Sequence, residues 1–485
     1  MTAAPSTTAS LPTIVQGGMG VGVSHWRLAR AVASAGHLGV VSGTALDVVV
    51  ARRLQDGDPG GHLRRALDAF PVPEMAERVR ATYYLEGGRS DGQAYRTVPM
   101  FTLKPAVALQ ELVVVANFCE VFLAKEGHRG YVGVNYLRKI ELPIPFACLG
   151  AMLAGVDFVI VGAGSPAEIP GLLRRLAQRD GVALPVRTQG TTSADGTFAV
   201  RCSPRALLGP GEPLALPRLL AIVSSTDLAV GLANDPESRP DGFVVEGSIA
   251  GGHNAPPRGP RRTTDDGEPV YGDRDHVDLD VLRELGLPFW LAGGQGTPEG
   301  LALARAEGAQ GVQVGTAFAL SEESGLADSL KRQVLDAVVS GEGVTVHTDW
   351  RVSPTGFPFK VVEVAGTLSD PSVAAQRPPV CDLGALRTPY KKDDGAIGYR
   401  CPSEPPAIYV DRKGGRPANT EGRACLCNAL LSAAGLAQER PHDYVEPAIV
   451  TAGTDFEAVT ALARTHPDGH PYPAQAVIEY LTASM

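Results

Sequence analysis

The feature that most constrains this chain is the repeated pairing of a short β-branched run with a helical stretch, joined through glycine or serine. Ile14-Val15-Gln16 runs into Gly17-Gly18 and then a helical stretch from about His25 to Ser34. Leu38 to Val41 ends in Ser42-Gly43-Thr44, and Tyr131 to Asn135, Asp157 to Val161 and Leu219 to Val223 follow. Phe243 to Glu246, Phe289 to Leu291 and Val312 to Val314 complete eight units. Continuous apolar strands joined by helices call for a parallel sheet buried on both faces. Eight of them favour closure into an α/β fold of the (β/α)8 TIM-barrel type. A doubly wound open sheet is the alternative, and it is weakened because no G-x-G-x-x-G follows the first strand.

Two stretches interrupt the alternation. Met75 to Leu112 predicts a helical cover over one end of the barrel, inside an insertion of about 45–128. Leu184 to Leu208 predicts a hairpin excursion around Ala194-Asp195-Gly196, inside an insertion of about 184–217. Beyond about Gly341 the alternation fades and proline-rich segments such as Arg377-Pro378-Pro379 take over. The expected division is a barrel domain over 1–374 and a smaller cysteine-containing unit over 375–485.

Charge and apolar patterning narrow the function classes. A net charge of −9 argues against a nucleic-acid surface, which needs a basic stripe. Ala106 to Ala124 is the most apolar long stretch, yet Glu111 and Glu120 interrupt it, so no membrane span is expected. Met1 to Ser10 lacks a basic start and an apolar core and reads as a leader, not a signal peptide. Seven cysteines without a signal peptide point to the reducing cytoplasm, with free thiols or a metal site before disulfides. Cys381, Cys401, Cys425 and Cys427 lie within 47 residues and could hold zinc or an iron–sulfur cluster. Their spacing fits no standard finger or ferredoxin run, and packed thiols are the favoured alternative. Cys119, Cys148 and Cys202 read as packing.

In a barrel the ligand site lies at the carboxyl ends of the strands. Gln16-Gly17-Gly18-Met19-Gly20 ends the first strand, and a flat ring could lie against a backbone with so few Cβ atoms. Leu291-Ala292-Gly293-Gly294-Gln295-Gly296 ends the seventh, and Gly311 to Phe318 holds the eighth with its turn. Backbone donors from Gly293, Gly294, Gly315 and Thr316 would meet there around a phosphate. Glu246 to His253 ends the sixth strand, and His253 follows two glycines on a bend where it could face a ligand. An imidazole suits proton transfer near neutral pH, while the plainer reading is a histidine that only bonds a phosphate or its own loop.

Taken together these residues resemble the nitronate monooxygenase family, which also holds flavin mononucleotide (FMN)-dependent enoyl reductases. The marks are Gln16-Gly17-Gly18-Met19, Gly133-Val134-Asn135, Ala154-Gly155-Val156-Asp157, Gly251-Gly252-His253, Ala292-Gly293-Gly294 and Gly311 to Phe318. The resemblance implies that Gly18 and Met19 pack at the isoalloxazine, that Asn135 hydrogen-bonds it and that Gly162 and Gly164 line it. It implies that Gly252, Gly293, Gly294, Gly315 and Thr316 hold the phosphate, with Gln313 beside them, and that His253 is catalytic. Ser248-Ile249-Ala250 stands where relatives carry an acidic or small residue ahead of the glycines. Ser353 to Lys360 and Gly150 to Gly155 look more like stand-alone enoyl reductases. Three functions follow as expectations. The first is oxidation of a small nitronate-like carbon acid with O2. The second is NAD(P)H-dependent reduction of an enoyl thioester, on an acyl carrier or free. The third is a flavin-binding partner protein without turnover. A homodimer is an open expectation.

Overall fold

Eight parallel strands form one sheet: β1 (Ile14–Gln16), β2 (Gly39–Ser42), β3 (Val132–Leu137), β4 (Phe158–Gly162), β5 (Arg218–Val223), β6 (Gly242–Glu246), β7 (Phe289–Ala292) and β8 (Gly311–Val314). This computed structural model describes residues 11–466 and 470–483, so the leader read at Met1 to Ser10 lies outside the described residues. Each strand pairs with its chain neighbour from β2 to β8, and β8 pairs with β1. Closure falls between β1 and β2. Leu38 donates to Ile14 O and Gln16 to Leu38 O, both at 3.0 Å. Where β1 ends, the Gln16 side chain continues the seam: its Oε1 accepts from the Val40 amide at 2.9 Å and its Nε2 donates to Ser24 Oγ at 2.8 Å. This is the (β/α)8 barrel that the alternation predicts.

Period-two alternation divides each strand between two environments. Val15, Val40, Phe158, Ile160, Leu220, Val244 and Trp290 fill the barrel interior. Val41, Val159, Val161 and Leu219 point outward into the helical layer. Every one of these side chains is almost fully buried, and each contributes about 1.5–3 kcal/mol relative to an exposed one. Trp290 seals the amino-terminal end of the barrel by donating to Pro12 O at 2.8 Å.

The insertion between β2 and β3 carries helices Leu46–Gln55, His62–Asp68, Pro73–Tyr83 and Val107–Lys125. The helical cover expected over Met75 to Leu112 is therefore interrupted: residues 84–106 form no helix. Gly87, Gly88 and Gly92 take positive φ there, and Pro99 and Pro105 cannot continue a helix. Among the described residues Val107–Lys125 is the one helix long and apolar enough, by length and composition, to cross a membrane. It lies mostly buried against the barrel, and its acids are paired. Glu111 meets Arg78 at 2.6 Å, and Glu120, with no exposed surface, accepts from Arg53 at 2.7 Å and from the Trp26 amide at 3.0 Å. The second insertion forms the antiparallel hairpin Val182–Pro185 with Ala199–Cys202, as its turn residues predict.

The last part of the segment beyond residue 374, expected as a separate unit, shares an apolar cluster with the barrel. Helices Glu457–Thr465 and Ala474–Thr482 lie against Trp26–Ser34, Pro298–Ala306 and Asp328–Ser340. Ala458, Leu462, Tyr472 and Val477 share one apolar cluster with Leu28, Val312 and Phe318. The hairpin Val346–Asp349 with Phe359–Val362 crosses the carboxyl ends of the strands, and Val362 pairs with Val450. The proline-rich composition signalled irregular chain, but apolar side chains spaced along it return to the barrel wall.

Candidate functional site

A cavity of about 990 Å³ opens at the carboxyl ends of the strands. One wall is the turn after β1. Ser24 Oγ fastens it by accepting from the Met19 amide at 2.9 Å and donating to Gly17 O at 2.8 Å. At the end of β3, Asn135 Nδ2 donates to Gly18 O at 3.0 Å. The approach is so close that a Cβ on Gly18 would collide with Asn135. Asn135 Oδ1 remains buried with no partner among the described residues, which leaves an acceptor for a ligand N–H. Gly162, which ends β4, and Gly164, just after it, line the same wall.

Across the cavity, Gly293 and Gly294 follow β7 with φ of 88° and 68°, a region that favours glycine. Among the described residues their amides donate to no backbone acceptor, so two N–H groups are free for an anion. Gln313, Gly315 and Thr316 line the cavity beside them. Thr316 Oγ1 accepts from the Gly453 amide at 2.9 Å, and its own proton stays available. Gly252 departs from the expectation of a phosphate donor. Its amide donates to Thr451 Oγ1 at 2.8 Å and its carbonyl accepts from Lys360 at 2.9 Å. The loop after Val450 crosses the mouth at this point and takes up that amide.

His253 lies on the loop after β6 and lines the cavity. Its Nε2 is 2.7 Å from Ser353 Oγ, which also meets Thr355 Oγ1 at 2.8 Å. Phe359 packs edge-on at 4.7 Å between centroids, and His253 pairs with it as an antiparallel bridge. Burial, with Lys139 adding to it, holds the imidazole pKa well below its ordinary value, so the ring is neutral at pH 7. Glu246, at the end of β6, is pushed up to about 7 by burial against the opposing pull of Lys139. The site thus joins a neutral base, a carboxyl that titrates near neutrality and a lysine.

Ser353, Thr355, Thr451, Gly453, Glu246 and Lys139 are absent from the site that sequence reasoning assembles. A signal existed for the first two, because Ser353 to Lys360 stands out as a motif; its seat over His253 required the fold. Cys381, Cys401 and Cys425, candidates for metal ligands with Cys427, lie near enough to add to burial in raising the Cys427 thiol. Among the described residues, however, no three His, Cys, Asp or Glu side chains are placed to hold a metal. Burial pushes the Cys381 thiol up to about 11 and Cys401 up to about 12, so both are protonated at neutral pH. Cys119, Cys148 and Cys202 are buried in the apolar core.

A family model described as nitronate monooxygenase matches residues 219–353, from β5 through His253, the glycine turns and Ser353. Over that stretch the chain is similar to the nitronate monooxygenase family. A "Probable nitronate monooxygenase" of Staphylococcus haemolyticus (strain JCSC1435) is 34% identical over 139 residues, 28% of this chain and 36% of that protein. A (3aS,4S,5R,7aS)-5-hydroxy-7a-methyl-1-oxo-octahydro-1H-indene-4-carboxyl-CoA dehydrogenase of Mycobacterium tuberculosis (strain ATCC 25618 / H37Rv) is 35% identical over 122 residues, 25% of this chain and 29% of that protein. The chain therefore matches about a third of the length of these curated relatives. Among solved structures, FabK from Thermotoga maritima aligns over 97% of this chain and 92% of its own, at 15% identity and a TM-score of 0.46. The family match covers His253, Gly293, Gly294, Gln313, Gly315 and Thr316, while Gly18, Met19, Asn135, Gly162 and Gly164 fall outside it.

Proposed function

We propose that the protein is an FMN-dependent oxidoreductase that oxidises a small nitronate-like carbon acid, with O2 as the electron acceptor. The observation that carries this reading is the neutral, buried imidazole of His253, held by Ser353 at 2.7 Å inside the strand-end cavity. A neutral ring accepts a proton from an acidic C–H at pH 7 and is a poor proton donor. The groups around it fit a flavin mononucleotide. Asn135 Oδ1 is a buried acceptor without a partner, and Gly18, lacking a Cβ, lets the turn after β1 close onto the Asn135 side chain. The amides of Gly293 and Gly294, with Gly315 and Thr316, would hold the phosphate. A bound flavin would supply the electron transfer. Ser353 orients the imidazole, and Phe359 covers it and excludes water.

One observation favours a second reading, reduction of an enoyl thioester with NAD(P)H as donor. The cavity of about 990 Å³ is at the upper end of the range for ligand sites and leaves room for an extended acyl chain beside a mononucleotide. Three measurements separate the readings. The visible spectrum of the pure protein reports flavin. Oxygen uptake with propyl-2-nitronate and no NADH supports nitronate oxidation. NAD(P)H consumption that depends on a 2-enoyl thioester supports the second reading instead. Flavin with neither activity leaves a flavin-binding partner protein, and a colourless preparation that refuses FMN ends all three.

A further inference from the structure

Lys139, on the loop just past β3, has no role in the chemistry above, yet it lines the same cavity as His253. Its Nζ is buried and has no hydrogen-bond partner among the described residues. Arg138 takes Glu141 at 2.7 Å and Glu168 at 3.4 Å, and Glu246, near enough to pull on the ammonium, makes no hydrogen bond to it. The Nζ instead stands 4.5 Å from the centroid of the Phe357 ring, whose edge meets His253 at 6.4 Å between centroids. An ammonium buried without a partner is costly, and such a group in a ligand cavity calls for an anionic oxygen supplied from outside.

We infer that Lys139 anchors an anionic oxygen of the substrate and so sets the acidic carbon beside His253. The pocket then selects carboxylate-like, nitronate-like or enolate-like anions over neutral molecules of the same shape. Burial depresses the Lys139 ammonium, with Glu246 opposing that shift, and an arriving anion strengthens the charged form in the same way. Phe357 holds the ammonium over its face and confines it to the side of the cavity that His253 occupies. This inference rests on the reading of the strand-end cavity as the active site.

The test is calorimetric titration of the flavin-loaded protein with propionate and with its neutral isostere propionamide. Native protein is expected to prefer propionate. Lys139→Met and Lys139→Gln are expected to weaken propionate binding at least about tenfold, a loss typical of one charge-assisted hydrogen bond. Lys139→Arg should stay within about threefold of native, and propionamide binding should not change in any variant. The inference is overturned if native protein does not discriminate the two ligands, or if Lys139→Met binds propionate as native does. It is also overturned if the substitution releases flavin while propionate binding is unchanged, which would make Lys139 a cofactor residue. Should Lys139→Met not fold, Lys139→Gln carries the same comparison. Calorimetry does not need flavin. Lys139-dependent anion binding in a protein that refuses FMN would therefore sink only the proposed function, and flavin with Lys139-independent binding would sink only this inference.

Discussion

His253 Nε2 and Ser353 Oγ stand 2.7 Å apart although one hundred residues separate them in the chain. The loop after β6 supplies the imidazole, and the hairpin that crosses the barrel mouth supplies the hydroxyl that orients it. Ser353→Ala should therefore lower kcat on the parent nitroalkane, whose C–H proton the imidazole must take, about three- to tenfold, the worth of one neutral hydrogen bond, and leave flavin content unchanged. Steady-state kinetics beside the visible spectrum check this. An unchanged kcat would show that the imidazole needs no such support.

On the acid side, the pH profile of kcat/KM follows from His253 and Glu246 beside the cavity. His253 is held well below its ordinary 6.5, so its protonation should remove activity only on the acid side of pH 6.5. Glu246, pushed up to about 7, gains its charge as pH rises through neutrality and should add a second step there. Glu246→Gln should delete the step near pH 7 and keep the acid limb. An acid limb at or above pH 6.5 in that variant would contradict the burial of the imidazole.

Gly18→Ala tests the meeting of β1 and β3. The added methyl would strike Asn135, and overpacking of this kind costs about 1–3 kcal/mol. The variant should melt at lower temperature and bind FMN more weakly, because Asn135 is displaced from the ring's edge. Retention of native FMN affinity, measured by fluorescence titration, would remove Asn135 from the cofactor site.

Glu120→Ala probes the core of the insertion. The carboxylate is fully buried and accepts from both Arg53 and the Trp26 amide at the start of a barrel helix. Its loss should cost about 2–4 kcal/mol, read as a lower denaturation midpoint with an unchanged slope. No effect on turnover beyond lost stability is expected, since Glu120 does not itself line the cavity.

A chain truncated after residue 374 should not fold as an independent barrel. Removal of Ala458, Leu462, Tyr472 and Val477 strips part of the cluster that covers Leu28, Val312 and Phe318. Circular dichroism should show a broad or absent thermal transition. A cooperative melt in the truncated protein would restore a domain boundary near that residue.

The sequence by itself determined the barrel. Eight short apolar strands alternating with helices favour a closed barrel over a doubly wound sheet, and the glycine turns that line the cavity are legible as strand ends. It also placed His253 at a strand end, because a histidine after two glycines must sit on a bend. Only the tertiary structure brought Ser353, Thr451 and Gly453 to that bend, and only it showed that the last helices of the chain pack against the barrel. Those contacts join residues one hundred or more positions apart, where no local periodicity reaches. The charge state of His253 and the isolation of Lys139 likewise depend on burial, a property of the packed chain that residue identity does not carry.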